Sequence, residues 1–158
     1  MELISKNDAL EYITNQEKIN ISYAKIGDGK KNLVVCFTCN GQITYNFKGT
    51  LISLKYERDD FDILYLRNNQ KWYLGGLVGI GKNIQHTQTF LKKEFAKYDK
   101  VICLGASMGG YGSILFGSVC GANNVISIVA QTNLEKLITS LPTDLNNKLV
   151  STSIQNLK

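Results

Sequence analysis

Short apolar runs alternate along the chain with amphipathic stretches, and the two patterns predict different elements. "NLVVCFT" (32–38) and "FDILYLR" (61–67) are almost unbroken series of large or β-branched apolar residues, which predicts strands covered on both faces. "KVICLGAS" (100–107) and "NNVISIVAQ" (123–131) read the same way. "INISYAKI" (19–26) alternates polar and apolar positions as a half-buried strand does, and "GDGK" (27–30) ends it in a turn. Helical spacing appears in "NDALEYITNQ" (7–16), where Asn7 or Asp8 is the expected N-cap and Leu10 and Ile13 share a face. It recurs in "KNIQHTQTFLKKEFAKY" (82–98), where Ile84, Thr87, Phe90, Leu91 and Phe95 trace one stripe, and in the small-residue segment "MGGYGSILFGSVCG" (108–121). "LISLKYE" (51–57) fits a helix or a strand equally, and the tail 133–158 reads as two short helices divided by Pro142, with Thr143 or Asp144 capping the second.

Strands that alternate with helices imply an α/β fold, a mainly parallel sheet with helices on both faces. The 158 residues suit one domain, and no repeat, linker or low-complexity segment divides them. An apolar content of 44% and a charged content of 20% are those of an ordinary globular protein. The first ten residues, "MELISKNDAL", lack the apolar core of a signal peptide, and no apolar stretch nears the roughly 20 residues of a membrane span. The expectation is a cytoplasmic chain without a membrane segment.

A net charge of +5 raises nucleic acid as a partner. The cations are nearly all Lys, however, with Arg only at 58 and 67, and the forked guanidinium is the usual reader of phosphate and base edges. A solvated basic face is expected, and no nucleic-acid partner. Cys36 and Cys39 in "CFTC" have the spacing of redox and zinc sites. A structural zinc needs a second pair of ligands, which is missing, and a redox pair opens a helix where this one ends a strand. Reduced thiols are expected at Cys36, Cys39, Cys103 and Cys120, with no metal and no cofactor.

The glycines of "CLGASMGGYG" (103–112) need a geometric reason, because each costs backbone entropy. Gly105-Ala106-Ser107-Met108-Gly109 fits G-x-S-x-G between a predicted strand and a predicted helix, the setting of a nucleophile elbow. There a serine sits in a strained conformation on a sharp turn, and backbone crowds so closely around it that side chains two residues away on either side would clash. Glycine at 105 and 109 relieves the crowding, and glycine at 110 and 112 lets the helix lie close on the sheet. The helix N-terminus then aims its amides where negative charge would develop beside Ser107.

Together with "LVVCFT", "YLRNNQKWYLGG" and "VAQTNL", the segment "GASMGGYGSILFG" resembles α/β-hydrolases of bacterial capsule and surface-polysaccharide biosynthesis, some of which are O-acetyltransferases. The resemblance runs from residue 33 to 135, about two thirds of the chain. It implies serine-dependent acyl transfer or ester hydrolysis, with a sugar ester or another small molecule as substrate. It implies Ser107 as nucleophile and the Met108 amide as one oxyanion donor, with a second amide from "FTCNG": Cys39 by preference, Thr38 or Asn40 as alternatives.

In a fold of that kind an acid and then a histidine follow the serine. After Ser107 the sequence holds Glu135 and Asp144 and no histidine; its one imidazole, His86, lies upstream. His86 is a candidate base because the N-terminal end of its predicted helix faces the carboxyl edge of the sheet. Two further strands expected beyond residue 135 do not follow, which reads as a chain lacking the last strands of the fold. Impaired catalysis, or a truncated, non-catalytic homologue or partner subunit, is the corresponding expectation. A missing strand would leave the edge of "NNVISIVAQ" open to a second copy.

A rival motif is "GLVGIGKN" (76–83), in which Gly76, Gly81 and Lys82 match a phosphate loop but Asn83 replaces the magnesium-binding hydroxyl. Nucleotide binding is therefore the lesser alternative to a glycine loop at the rim of the site. In "KWY", Trp72 and Tyr73 fit a sugar-stacking platform or a packed lid.

Overall fold

The computed structural model describes residues 5–19, 22–39, 44–68, 73, 76–130 and 132–133. Among them five strands form one sheet: β1 (Tyr23–Ile26), β2 (Asn32–Phe37), β3 (Phe61–Leu66), β4 (Lys100–Ala106) and β5 (Asn124–Ile128). Their order is β1-β3-β2-β4-β5, with β1 antiparallel to β3 and every other neighbouring pair parallel. The helices are α1 (Lys6–Lys18), α2 (Lys48–Arg58), α3 (Ile84–Phe95) and α4 (Met108–Cys120).

Alternation along the central strands sorts the core into two layers, because successive side chains leave a strand on opposite faces. Leu33, Val35 and Phe37 of β2 join Leu91 and Phe95 of α3 and Met108 and Phe116 of α4. Cys36 of β2 and Phe61, Ile63 and Tyr65 of β3 join Ala9 and Ile13 of α1 and Leu51 and Ile52 of α2. The expected α/β architecture with helices on both faces is thus the observed one.

The structure resolves one ambiguity and corrects one cap. Residues 51–57 are helical because Leu51, Ile52 and Lys55, the buried positions of α2, lie along one helical stripe. A strand would instead have set Leu51, Ser53 and Lys55 on one face. α1 is capped by Ser5, not Asn7 or Asp8: the Ser5 hydroxyl accepts from the Asp8 amide at 3.2 Å and donates to its carboxylate at 2.8 Å. The helix starts at Lys6, so Asp8 falls in its first turn and favours the positive end of the helix dipole.

One charge is built into the core. Asp62 in β3 is completely buried, and its carboxylate accepts from the Gly29 and Lys30 amides at 3.0 and 3.3 Å and from the Tyr98 hydroxyl at 2.9 Å. The buried Lys55 ammonium stands 3.8 Å away and donates to the Phe61 carbonyl. These bonds tie the turn between β1 and β2 to the start of β3, which offsets the cost of burying the charge.

At the other side of the sheet, β5 has β4 as its one strand neighbour among the described residues, and Val125, Ile126, Ile128 and Val129 are exposed. The tail helices, Glu135 and Asp144 lie outside the described residues. No described helix is long and apolar enough to cross a membrane.

The four thiols are free. Cys36 sits inside β2, its thiol donating to the Asn46 carbonyl at 3.2 Å, and burial pushes its pKa up to about 12; burial does the same to Cys103. "CFTC" is therefore a strand end with one thiol inside and one beyond it.

Two outcomes are expected. Asp62→Ala leaves the Gly29 and Lys30 amides and the Lys55 ammonium without their partner, and should cost about 3–5 kcal/mol. Thermal unfolding should register this as a melting point lower by roughly 6–20 °C. At pH 8, well below their raised pKa values, Cys36 and Cys103 carry almost no thiolate, so a thiol-reactive disulfide should leave both unmodified in the folded protein. Mass spectrometry of the modified peptides checks this.

Candidate active site

β2 and β4 are parallel neighbours whose following segments leave toward opposite faces of the sheet, to α2 on one and α4 on the other. Such a switch point opens a crevice beyond the carboxyl ends of the two strands. The register pairs Phe37 with Gly105 across this boundary, so two residues further along each strand stand Cys39 and Ser107.

Ser107 has φ 53° and ψ −121°. These angles mirror the extended conformation, a region that glycine enters freely and an L-residue enters at a cost of about 1–3 kcal/mol. The conformation persists because its surroundings hold it. The Ser107 amide donates to the Ile128 carbonyl of β5 at 2.9 Å, and its own carbonyl accepts from Tyr111 in the first turn of α4 at 3.1 Å. The side chain makes no capping bond, and among the described residues the half-buried hydroxyl has no hydrogen-bond partner at the head of the helix.

The surrounding glycines are spent as the motif implies, each on a particular neighbour. A Cβ on Gly105 would run into the carbonyl group of Gly109 and stand 2.8 Å from the Gly110 nitrogen. One on Gly109 would strike the Phe37 carbonyl, with the Thr38 carbonyl carbon 3.0 Å away. Both obstacles are backbone and cannot move aside. Gly110 makes room for Ser127 of β5, and Gly112 for the rings of Tyr73 and Phe37. The start of α4 is thus pressed directly onto the ends of β4 and β2.

Of the two expected oxyanion donors, the Met108 amide is the first of α4 and has no acceptor among the described residues, as helix geometry requires of a first-turn N–H. For the second, the structure discriminates. The Thr38 amide is spent on the Leu66 carbonyl at 2.9 Å, which removes Thr38 from the alternatives. Asn40 lies outside the described residues. The Cys39 amide has no acceptor among those described, and Cys39 is half-buried. A serine hydroxyl, two amides without an acceptor among the described residues and the positive end of a 13-residue helix therefore lie at the ends of the neighbouring strands β2 and β4. That combination suits an attack on a carbonyl, where charge develops on oxygen.

His86 is on the exposed first turn of α3, and no hydrogen bond joins it to Ser107 among the described residues. Its Nδ1 accepts from the Lys82 amide at 3.2 Å. That contact ties the ring to its own N-terminal loop and not to Ser107.

The rival phosphate loop is closed on itself. The Leu77 amide donates to the Gly81 carbonyl, the Ile80 and Gly81 amides to the Leu77 carbonyl, and the Val78 amide to the Ser22 hydroxyl. A Cβ on Gly81 would collide with the His86 imidazole, so that glycine seats a ring instead of cradling a phosphate. These four amides are thus taken up within the fold and are not turned to a phosphate. Tyr73 is completely buried, so it offers no face to a sugar and is packed; Trp72 lies outside the described residues. Among the described residues no three His, Cys, Asp or Glu side chains gather as a metal site would require.

No family model matches the chain, and none of the curated proteins does. Among solved structures it is similar to the capsule O-acetyltransferase of Neisseria meningitidis serogroup A, with a TM-score of 0.58 and 15% identity over 80% of this chain and 54% of that one. It is also similar to FphF, the fluorophosphonate-binding serine hydrolase F of Staphylococcus aureus, with a TM-score of 0.50 and 12% identity over 79% of this chain and 64% of that one. The chain spans between about half and two thirds of the length of these structures. Identities this low show a shared fold, and that fold resembles the α/β-hydrolases. The resemblance first carried by the glycine-flanked serine is thus also a resemblance of backbone.

Replacing Ser107 with glycine should release the local strain, while glycine itself gives back about 0.5–1 kcal/mol of chain entropy. A net gain of about 1 kcal/mol, seen as a melting point higher by roughly 2–4 °C, is the expected result of calorimetry on Ser107→Gly. A melting point that falls would mean that Ser107 is not strained.

Proposed function

We propose that the chain carries out acyl transfer through Ser107. The hydroxyl oxygen attacks the carbonyl of an ester or thioester as its proton passes to water, the Met108 and Cys39 amides hold the oxyanion of the tetrahedral intermediate, and the C–O or C–S bond then breaks, the leaving group departing with a proton from water to give an acyl-serine. A second hydroxyl then takes the acyl group. The likeness to a capsule O-acetyltransferase supports a surface-polysaccharide sugar as that acceptor, with water as the alternative. What carries this reading is the backbone at Ser107, a strained turn with its hydroxyl at a helix head.

The chain supplies the nucleophile and the oxyanion donors more fully than it supplies a base. Among the described residues the His86 ring is hydrogen-bonded to the Lys82 amide and not to Ser107, and the sequence holds no other histidine. An oxyanion site without its base retains about 10³–10⁴-fold acceleration over water, so slow turnover is the expectation for these 158 residues alone. A second reading, a non-catalytic partner subunit, is favoured by one observation: the apolar side chains of β5 are exposed at the sheet edge, where another chain can pair.

A fluorophosphonate probe, which traps an activated serine and places its oxygen among the oxyanion donors, separates the two. Wild type should label slowly and Ser107→Ala not at all. Equal labelling of both proteins, or of neither, would sink the acyl-transfer reading.

A further inference from the structure

We propose that Tyr73 is a positioning residue that aims the Cys39 amide into the crevice, an inference that rests on the acyl-transfer role proposed for Ser107. The argument begins with the lone pairs at the end of β3. The Leu66 carbonyl accepts from the Thr38 amide at 2.9 Å and from the Thr38 hydroxyl at 2.8 Å, which fills both. The Tyr73 hydroxyl lies 2.9 Å from the Thr38 carbonyl oxygen and 3.2 Å from that of Leu66. It has one hydrogen to give, and the nearer oxygen is the one with a lone pair free. Tyr73 therefore donates to Thr38.

Pinning that carbonyl fixes the next amide. In a trans peptide the C=O and the following N–H point in opposite directions, and no described peptide bond is cis. With the Thr38 oxygen held toward the buried Tyr73 ring, the Cys39 N–H points away from it. The same peptide lies against the first turn of α4, since a Cβ on Gly109 would stand 3.0 Å from the Thr38 carbonyl carbon. The Thr38–Cys39 peptide thereby borders the turn that carries Ser107 and Met108.

Tyr73 is itself held too firmly to be a passive filler. It is completely buried, has a left-handed φ of 57°, and meets Phe37 edge-on with ring centroids 5.5 Å apart. Gly112 of α4 has no side chain where the Tyr73 ring passes. A phenylalanine would fill the same space, so the hydroxyl adds a function that packing does not require. A buried hydroxyl without a partner is costly, and here the partner is the one carbonyl that orients the second oxyanion donor.

Tyr73→Phe keeps the ring and removes the bond. Two measurements on the full chain test the proposal: the rate of fluorophosphonate labelling at Ser107, and the residual dipolar coupling of the Cys39 N–H, which reports its direction without any reactivity. Outright loss of an oxyanion donor costs about 10²–10³-fold, so a misaimed donor should slow labelling by about tenfold or more. The Cys39 coupling should change while those of β2 and β4 stay as they are. Leu91→Val is the control for stability alone: it thins the same core from α3, and well below its melting temperature its labelling rate should equal that of wild type. Should Tyr73→Phe prove too unstable, Thr38→Val frees a lone pair on Leu66 for the tyrosine hydroxyl and should move both measurements the same way by less. An unchanged Cys39 coupling in Tyr73→Phe, or an unchanged labelling rate alongside a changed coupling, overturns the proposal while leaving Ser107 as the nucleophile. A wild-type chain that labels no more than Ser107→Ala overturns the nucleophile and the positioning role together.

Discussion

Backbone pressed against backbone where α4 meets the ends of β2 and β4 is the constraint on which the rest of the site depends. The carbonyls of Gly109 and Phe37 stand where side chains on Gly105 and Gly109 would be. Neither can retreat, because β2 and β4 are locked in register by their ladder and the Gly109 carbonyl belongs to a helix. Out of this crowding come the strained turn at Ser107, the place of the first α4 amides beside the strand ends and the closeness of the Thr38–Cys39 peptide. All three are consequences of how near the helix lies, and the nearness is bought with glycine entropy.

The same economy shapes the layer behind the site. Phe37 meets Tyr73 edge-on and stacks on Phe116 of α4 at 6.0 Å, so the residue at the end of β2 is wedged between two rings. Thr38, directly after it, sends both its donors to Leu66. A strand end that would ordinarily fray is instead anchored on one side by aromatic packing and on the other by β3. For the proposed acyl transfer such rigidity has a chemical meaning, because an oxyanion donor acts by being in place before charge appears.

Away from the crevice, hydrogen bonds decided matters that motifs left open. "GLVGIGKN" matches a phosphate loop in letters, yet its Leu77, Val78, Ile80, Gly81 and Lys82 amides are taken up by Gly81, Ser22, Leu77 and His86. His86 stands at the head of α3, as expected, and its ring accepts from the Lys82 amide with no described bond to Ser107. Such outcomes turn on which donor finds which acceptor, something that residue types at a given spacing do not encode.

Sequence alone determined the parts of this protein that are local. Unbroken apolar runs marked β2 and β3, helical stripes marked α3, and the glycines around Ser107 announced a strand-to-helix turn, because period, branching and missing Cβ atoms act within a few residues. The mainly parallel sheet followed from their alternation. Tertiary structure decided what depends on residues far apart in the chain: that 51–57 coil into α2 over one apolar layer, that Asp62 is tolerable inside a strand because Gly29, Lys30 and Tyr98 reach it, and that the Thr38 amide is taken up by Leu66 while that of Cys39 has no acceptor among the described residues. A carboxylate or an amide carries no mark of its eventual partner, since that pairing is set by where the fold closes and which polar group would otherwise be buried alone.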